Sequence, residues 1–276
     1  PFEMGLSELT ALEYGAGLRR RPLSFPEDLK AVLDAETFAR TVLGFQPDPV
    51  QASMLRGEHS QLLLLCARQW GKSTVTAIKA IHRAWTRPEC LVLVVGPGER
   101  QTGEFMRKAS MFLRRLGIKP RGDGYNSISL LLPNGSRMVS VPAREATSRG
   151  FSAASLLVVE EAARVPDEHY DAMTPCLDKH SGDLWLLSTA WAQSGFFWKF
   201  WTDGDPDWTR VTVRATDCPE RFPDQYLARE RKQKGEATFR REFLCEFMDA
   251  GASLFDRQRL MAMLQTELRP MWPDRR

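Results

Sequence analysis

One nine-residue segment constrains this chain more than any other: Cys66-Ala67-Arg68-Gln69-Trp70-Gly71-Lys72-Ser73-Thr74. An unbroken apolar run, Leu62 to Cys66, leads into it. Such a run is the mark of a strand covered on both faces. Residues Lys72 to Trp85 then carry apolar positions at helical spacing. A strand, a tight loop and a helix in that order aim backbone N–H groups and a helix N-terminus at phosphates. Gly71 lets the backbone turn close to the ligand. In that pattern the lysine, Lys72, reaches β- and γ-phosphates and the hydroxyl of Ser73 ligates Mg²⁺. Arg68, Gln69, Trp70 and Thr74 complete the expected nucleotide loop. The usual pattern has a glycine five residues before Gly71, where this chain has Cys66. A chance Gly-Lys-Ser is the bland alternative, and the flanking strand and helix weigh against it.

Further buried strands are expected at Leu91–Val95, Ser155–Val159 and Leu184–Leu187, with Arg210–Arg214 as a fifth or an edge strand. Helical patterns stand between them, notably at 100–116. Ser127–Leu132 and Arg137–Val141 flank Pro133-Asn134-Gly135, a hairpin signal. Strands alternating with helices imply a mostly parallel sheet with helices on both faces. Ahead of it, Glu27–Leu43 reads as one helix, stopped by a Pro-rich elbow at 45–49.

Two more segments place chemistry at the carboxyl edge of that sheet. Leu156-Leu157-Val158-Val159 ends in Glu160-Glu161. The first carboxylate is expected to hold Mg²⁺ and the second to polarise an attacking water. Adjacent residues on a strand face opposite ways, which suits two roles. Leu184–Leu187 ends in Ser188-Thr189-Ala190, hydroxyls at the edge where open α/β sheets bind ligands. Either hydroxyl could sense the γ-phosphate, with Thr189 counted among the nucleotide contacts and a plain strand-end cap as the alternative.

The 38 basic and 35 acidic residues leave a net charge of only +3. Any nucleic-acid contact must therefore come from local patches. Arg107, Lys108, Arg114, Arg115, Lys119 and Arg121 form one, on a helix and the loop after it, with a solvated helix face as the alternative. Five widely spaced cysteines argue against a disulfide framework and for a reducing cytoplasm. No apolar stretch approaches membrane-spanning length. Glu3, Glu8 and Glu13 interrupt any secretory leader, and Pro1 reads as the start of a trimmed chain or of a piece of a longer one.

The run Ala67–Ser73 resembles the deviant Walker A of phage large terminases, in which arginine and glutamine precede the Gly-Lys. Phe45–Gln51 resembles their adenine-recognition motif. Arg149-Gly150 resembles the segment leading into their Walker B, Ser188-Thr189-Ala190 their coupling motif, and Glu242–Phe247 their passage toward a nuclease. The resemblance covers residues 40–260. It implies a RecA-like P-loop NTPase of the additional-strand (ASCE) type with a small C-terminal lid subdomain. The implied organisation is a helical lead-in at 1–48, an ATPase core at 49–194, a lid at 195–250 and the start of a linker at 251–276, with the nuclease absent and no DNA cleavage expected. It further implies ATP and Mg²⁺ as cofactors and translocation of double-stranded DNA into a procapsid. The implied setting is a homo-oligomeric ring, usually of five, on the capsid portal, with a small terminase subunit, in the cytoplasm of a bacterial host. Gln51 is the implied adenine contact, Arg68 a γ-phosphate contact, and Arg149 an arginine finger offered to a neighbouring subunit. A salt bridge is the alternative use of either arginine. The rival readings are a helicase-like half-motor and a nucleotide switch with little turnover.

Overall fold

The computed structural model describes residues 25–143 and 150–249. Arg149, the first half of the expected lead-in and the expected linker lie outside the described residues. The lead-in that is described departs from the single helix expected. Helix α1 (Phe25–Leu33) stops at Asp34. That residue adopts extended backbone, and its carboxylate accepts from the N–H groups of Glu36 and Thr37. An aspartate inside an apolar periodicity thus starts a new helix instead of continuing the old one. The new turn, Ala35–Thr37, widens into a π-turn at Phe38–Val42. Helix α2 (Pro49–Arg56) follows the elbow, and Asp48 and Gln51 close a reciprocal capping box on it.

Seven strands form one sheet: β1 (Gln61–Cys66), β2 (Leu91–Gly96), β3 (Ser129–Leu131), β4 (Arg137–Pro142), β5 (Ala154–Glu160), β6 (Asp183–Ser188) and β7 (Thr209–Val213). Their order is β3-β4-β2-β5-β6-β1-β7. All neighbours run parallel except β3, which pairs antiparallel with β4 across the expected hairpin. Strand β7 pairs with β1 at one edge, so the stretch 195–250 contributes a strand to the main sheet as well as helices.

The unbroken apolar runs are explained by two cores, one on each face. Leu62, Leu64, Val92, Val94, Leu156, Val158, Trp185 and Leu187 face one core. Helices α3 (Lys72–Thr86) and α4 (Glu99–Arg115) cover it, and residues of the lead-in pack there too. Leu63, Leu65, Leu93, Val95, Leu157, Val159 and Leu186 face the other. Helices α5 (Asp167–Met173) and α6 (Gly195–Thr202) cover that side. Helices α7 (Asp224–Lys234) and α8 (Glu236–Phe243) form a hairpin whose Leu227, Phe239 and Phe243 join the first core. Trp185 is buried in the sheet, and Trp198 and Trp201 pack on Phe247. These three are packing residues: Trp185 sits in a core strand, and Trp198 and Trp201 share helical spacing with Phe197.

The order places β6 between β1 and β5. The end of the loop strand, the Ser188-Thr189 edge and the paired carboxylates are thereby set side by side at one edge of the sheet.

Candidate nucleotide site

The loop after β1 is held from outside itself. The Ala67 N–H donates to the Val213 carbonyl of β7, and the Arg68 N–H to the Glu242 carbonyl of α8, each at 2.8 Å. Gln69 and Gly71 have left-handed backbone, with φ of 65° and 108°. At Gly71 the glycine is needed twice over. A Cβ there would be strained, and it would stand 3.0 Å from the Gln51 amide nitrogen. Helix α3 then begins with no side-chain cap, which leaves first-turn N–H groups for an anion.

Trp70 was expected among the nucleotide contacts, and its side chain is fully buried in the first core. It anchors the loop and presents only backbone to the site. The Trp70 carbonyl accepts a hydrogen bond from Gln51 Nε2 at 3.3 Å. Gln51 is itself 1% exposed, and its Oε1 accepts from the Asp48 N–H. The expected adenine contact is therefore already engaged with the helix cap and the phosphate loop. Tyr226 of α7 donates its hydroxyl to Gln69 Oε1 at 3.1 Å.

The acids arrive from β5. Strand geometry ends at Glu160, and Glu161 turns out of it with φ 52°. The two carboxylates thus diverge through a left-handed turn, and not through the strand alternation expected from sequence. Glu161 Oε1 stands 2.7 Å from Lys72 Nζ. Ser73 Oγ donates to Glu160 Oε2 at 3.1 Å. Glu160 Oε1 and Glu161 Oε2 are buried with no hydrogen-bond partner. Burial raises the Glu160 pKa above the usual carboxylate range; Lys72 opposes the shift, and Glu161 adds to it. Burial also pulls the Lys72 ammonium down, but Glu161, Cys66 and Glu160 more than offset it and hold its pKa high.

A buried carboxylate oxygen without a partner, beside a serine hydroxyl, is an oxygen-only donor set that suits Mg²⁺. Among the described residues no cluster of three or more His, Cys, Asp or Glu could hold a metal alone.

Thr189 is buried where β6 ends, between β1 and β5. Its neighbour Ser188 accepts from the Ala163 N–H at 3.3 Å, tying this edge to the turn after Glu161. Arg68 forms an ion pair with Glu242, Nη1 to Oε1, at 3.2 Å. Glu242 also takes Lys234 at 3.0 Å. Burial pushes the Glu242 carboxyl up, and Lys234 and Arg68 more than reverse that.

The matching family model is the terminase large subunit, T4likevirus-type, N-terminal, over residues 63–261. The chain belongs to the terminase large subunit family. A curated relative, the terminase large subunit of Thermus phage G20c, is 25% identical over 264 residues, covering 83% of this chain and 54% of the relative. The chain spans about half the length of the curated relatives it matches. The solved Thermus phage P74-26 large terminase ATPase domain superposes with a TM-score of 0.67 at 19% identity, covering 78% of this chain and all of that one. The large terminase of bacteriophage HK97 gives 0.63 at 18%, over 74% of this chain and 51% of that one. A large terminase from a thermophilic bacteriophage, in complex with ATP-gamma-S, gives 0.56 at 14%, over 82% and 53%. The fold is therefore that of terminase ATPase domains, a mostly parallel sheet flanked by helices, as the sequence pattern implied.

The six expected DNA residues of this terminase chain are not equivalent. Arg107, Arg114, Lys119 and Arg121 are exposed, Arg107 in an ion pair with Glu104. Arg115 instead donates to the Leu43 carbonyl and lies over the Phe112 ring, which makes it a tie to the lead-in. Lys108 is half-buried. Burial lowers its pKa while the Glu160 carboxylate pulls the other way. Arg221, Tyr226 and Lys234 are site neighbours that sequence reasoning missed. Arg221 lies in the turn before α7 and pairs with Asp48, while Tyr226 and Lys234 lie on α7 and reach Gln69 and Glu242; none has a local sequence signal.

Proposed function

We propose that this chain is the ATPase motor domain of a viral large terminase, hydrolysing Mg-ATP to drive double-stranded DNA into a procapsid. The observation that carries the reading is the 2.7 Å contact between Lys72 and Glu161 beside the Ser73–Glu160 pair. A phosphate-binding lysine, a metal-binding hydroxyl and carboxylate, and a second carboxylate meet at one sheet edge.

Bound Mg²⁺ supplies charge neutralisation at the phosphates. Ser73 and Glu160 would hold the ion. Lys72 and the first N–H groups of α3 draw in the β- and γ-phosphates, and Lys72 then trades Glu161 for phosphate oxygen. Glu161, released, orients the attacking water and accepts its proton. Arg68 leaves Glu242 for the γ-phosphate, and Thr189 senses whether that phosphate is present. Gln51 turns from Asp48 and Trp70 to the adenine edge, where a matched donor and acceptor discriminate between bases. Arg149 acts in trans on the neighbouring subunit of a homo-oligomeric ring, a pentamer by family resemblance. The helices after β7 form the lid.

In this reading the ring docks on the capsid portal, works with a small terminase subunit and acts in the host cytoplasm. No helix among the described residues is long and apolar enough to cross a membrane. The exposed Arg107, Arg114, Lys119 and Arg121 track DNA phosphates with little sequence preference.

Steady-state phosphate release tests the reading directly. The parent chain turns over ATP with Mg²⁺, and Lys72→Ala does not. Equal turnover by the two would overturn it. For the trans finger, inactive Arg149→Ala subunits mixed with inactive Glu161→Ala subunits regain activity. If Gln51→Ala leaves the preference for ATP over GTP untouched, the adenine role is wrong.

A further inference from the structure

Trp191 follows directly on Ser188-Thr189-Ala190, and two arginines lie over its ring. The Arg164 guanidinium carbon is 4.2 Å from the ring centroid and that of Arg241 is 4.6 Å. Each arginine reaches a different part of the site. Arg164 sits one short turn after Glu161, with its Nε 4.0 Å from Glu161 Oε2. Arg241 adjoins Glu242 on α8, 4.0 Å from its Oε1, and Glu242 in turn holds Arg68. The backbone repeats the link. Met248, beyond α8, donates its N–H to the Trp191 carbonyl at 2.9 Å, and Gln193 donates to Met248. One ring therefore joins the turn of the water-polarising acid, the end of β6 and the helix that restrains the phosphate-loop arginine.

We propose that Trp191 is a positioning residue that couples Glu161 to helix α8, by holding both Arg164 and Arg241 over its ring. This rests on the ATPase reading of the site. The attraction of a guanidinium to an aromatic face is directional. An aliphatic residue of similar bulk would fill the space and leave two like charges without the ring that holds them. When phosphate displaces Glu161 from Lys72, the carboxylate nearest Arg164 moves. The ring carries that change to Arg241, and so to Glu242 and the restraint on Arg68.

The test compares the parent with Trp191→Leu and Trp191→Tyr, using the Mg²⁺ complex of ATP-gamma-S as probe. Affinity is measured first, then hydrogen exchange of the amides at 236–243 with and without nucleotide, then phosphate release from ATP. All three proteins are expected to bind the probe within about threefold of one another. Parent and Trp191→Tyr slow or speed exchange over 236–243 when nucleotide binds, and Trp191→Leu shows no such response. Trp191→Leu also loses about tenfold in kcat with little change in KM, and the tyrosine variant recovers most of it. Arg241→Gln, which leaves the ring in place, is expected to reproduce the leucine phenotype, and Arg241→Lys to avoid it; this pair decides the matter if the leucine variant does not fold. A nucleotide response over 236–243 that survives in Trp191→Leu or in Arg241→Gln overturns the proposal, as does a parent that binds nucleotide without any response there. A parent that binds no nucleotide overturns the ATPase reading itself, and the proposal with it.

Discussion

The two edges of the sheet bury charge in opposite ways. At the amino edge, Lys79 is 8% exposed and donates to the carbonyls of Leu55 and Gly57. Arg83 is 9% exposed, donates to the Ser155 carbonyl and pairs with Asp183. At the carboxyl edge, Glu160 and Glu161 each keep a buried oxygen without a hydrogen-bond partner, and Gln69, Gly71 and Glu161 hold left-handed backbone. Buried charge is tolerable when its bonds are complete and costly when they are not. The first edge is built to stay closed. The second keeps its unmet valences for a ligand, which is where strain and unpaired groups gather in functional sites.

Four substitutions or conditions can break this contrast. The largest effect is expected for Glu161→Gln, which should cut phosphate release by about 10²–10⁴-fold while nucleotide binding persists. Its thermal midpoint should change little, because the amide oxygen can still accept from Lys72 and relief of repulsion from Glu160 offsets the lost ion pair. A sharp drop in midpoint would mean that the Lys72–Glu161 pair is structural. Asp183→Ala should do the reverse. Leaving the Arg83 guanidinium short of a partner should destabilise the fold by about 3 kcal/mol or more, read from denaturant midpoints, with phosphate release per folded molecule unchanged. Lost turnover without lost stability would place the amino edge in the mechanism.

The third concerns His82, on the amino-edge half of α3, whose ring nitrogen bonds the Ala31 carbonyl. Burial first, then Lys79, push its pKa down to about 4 from the ordinary histidine value of 6.5. A base with a depressed folded pKa is protonated more readily in the unfolded chain. Its contribution is therefore complete above pH 6.5 and is lost as pH falls from there toward 4. Up to about 3 kcal/mol should disappear across that window. Urea midpoints at pH 7 and pH 5 should differ less in His82→Gln than in the parent; equal pH dependence in the two would remove His82 as the cause. The smallest effect is expected for Gly71→Ala, about 1 kcal/mol of backbone strain, seen as a midpoint lower by a few degrees with weaker nucleotide affinity. An unchanged affinity would mean that the left-handed turn is not part of the phosphate cradle.

Much of this was legible in the sequence because it depends on short patterns. Leu62–Cys66 and Leu91–Val95 are apolar on both strand faces, and both faces are buried. Asn134-Gly135 marked its hairpin. The juxtaposition of Lys72 with Glu161 followed from two motifs at the ends of parallel strands. What stayed hidden depends on contacts between distant segments. Asp34 splits the lead-in because its carboxylate prefers capping, a competition that apolar spacing does not register. Glu161 leaves the strand, so period-two reasoning stopped one residue too early. Trp70 looked like a loop residue and is a core residue, fully buried in the first core. Arg68 finds Glu242 across most of the chain.

The hydrogen bonds from Ala67 and Arg68 to Val213 and Glu242 carry a consequence for biogenesis. Two anchors of the cradle come from residues synthesised long after the Gly-Lys-Ser segment itself. A nascent chain can assemble most of the sheet while its anion pocket is still slack. On the proposed ATPase reading, competence to grip a triphosphate therefore arrives late in synthesis, once α8 has folded back. The order of folding itself delays nucleotide capture until the domain is nearly whole.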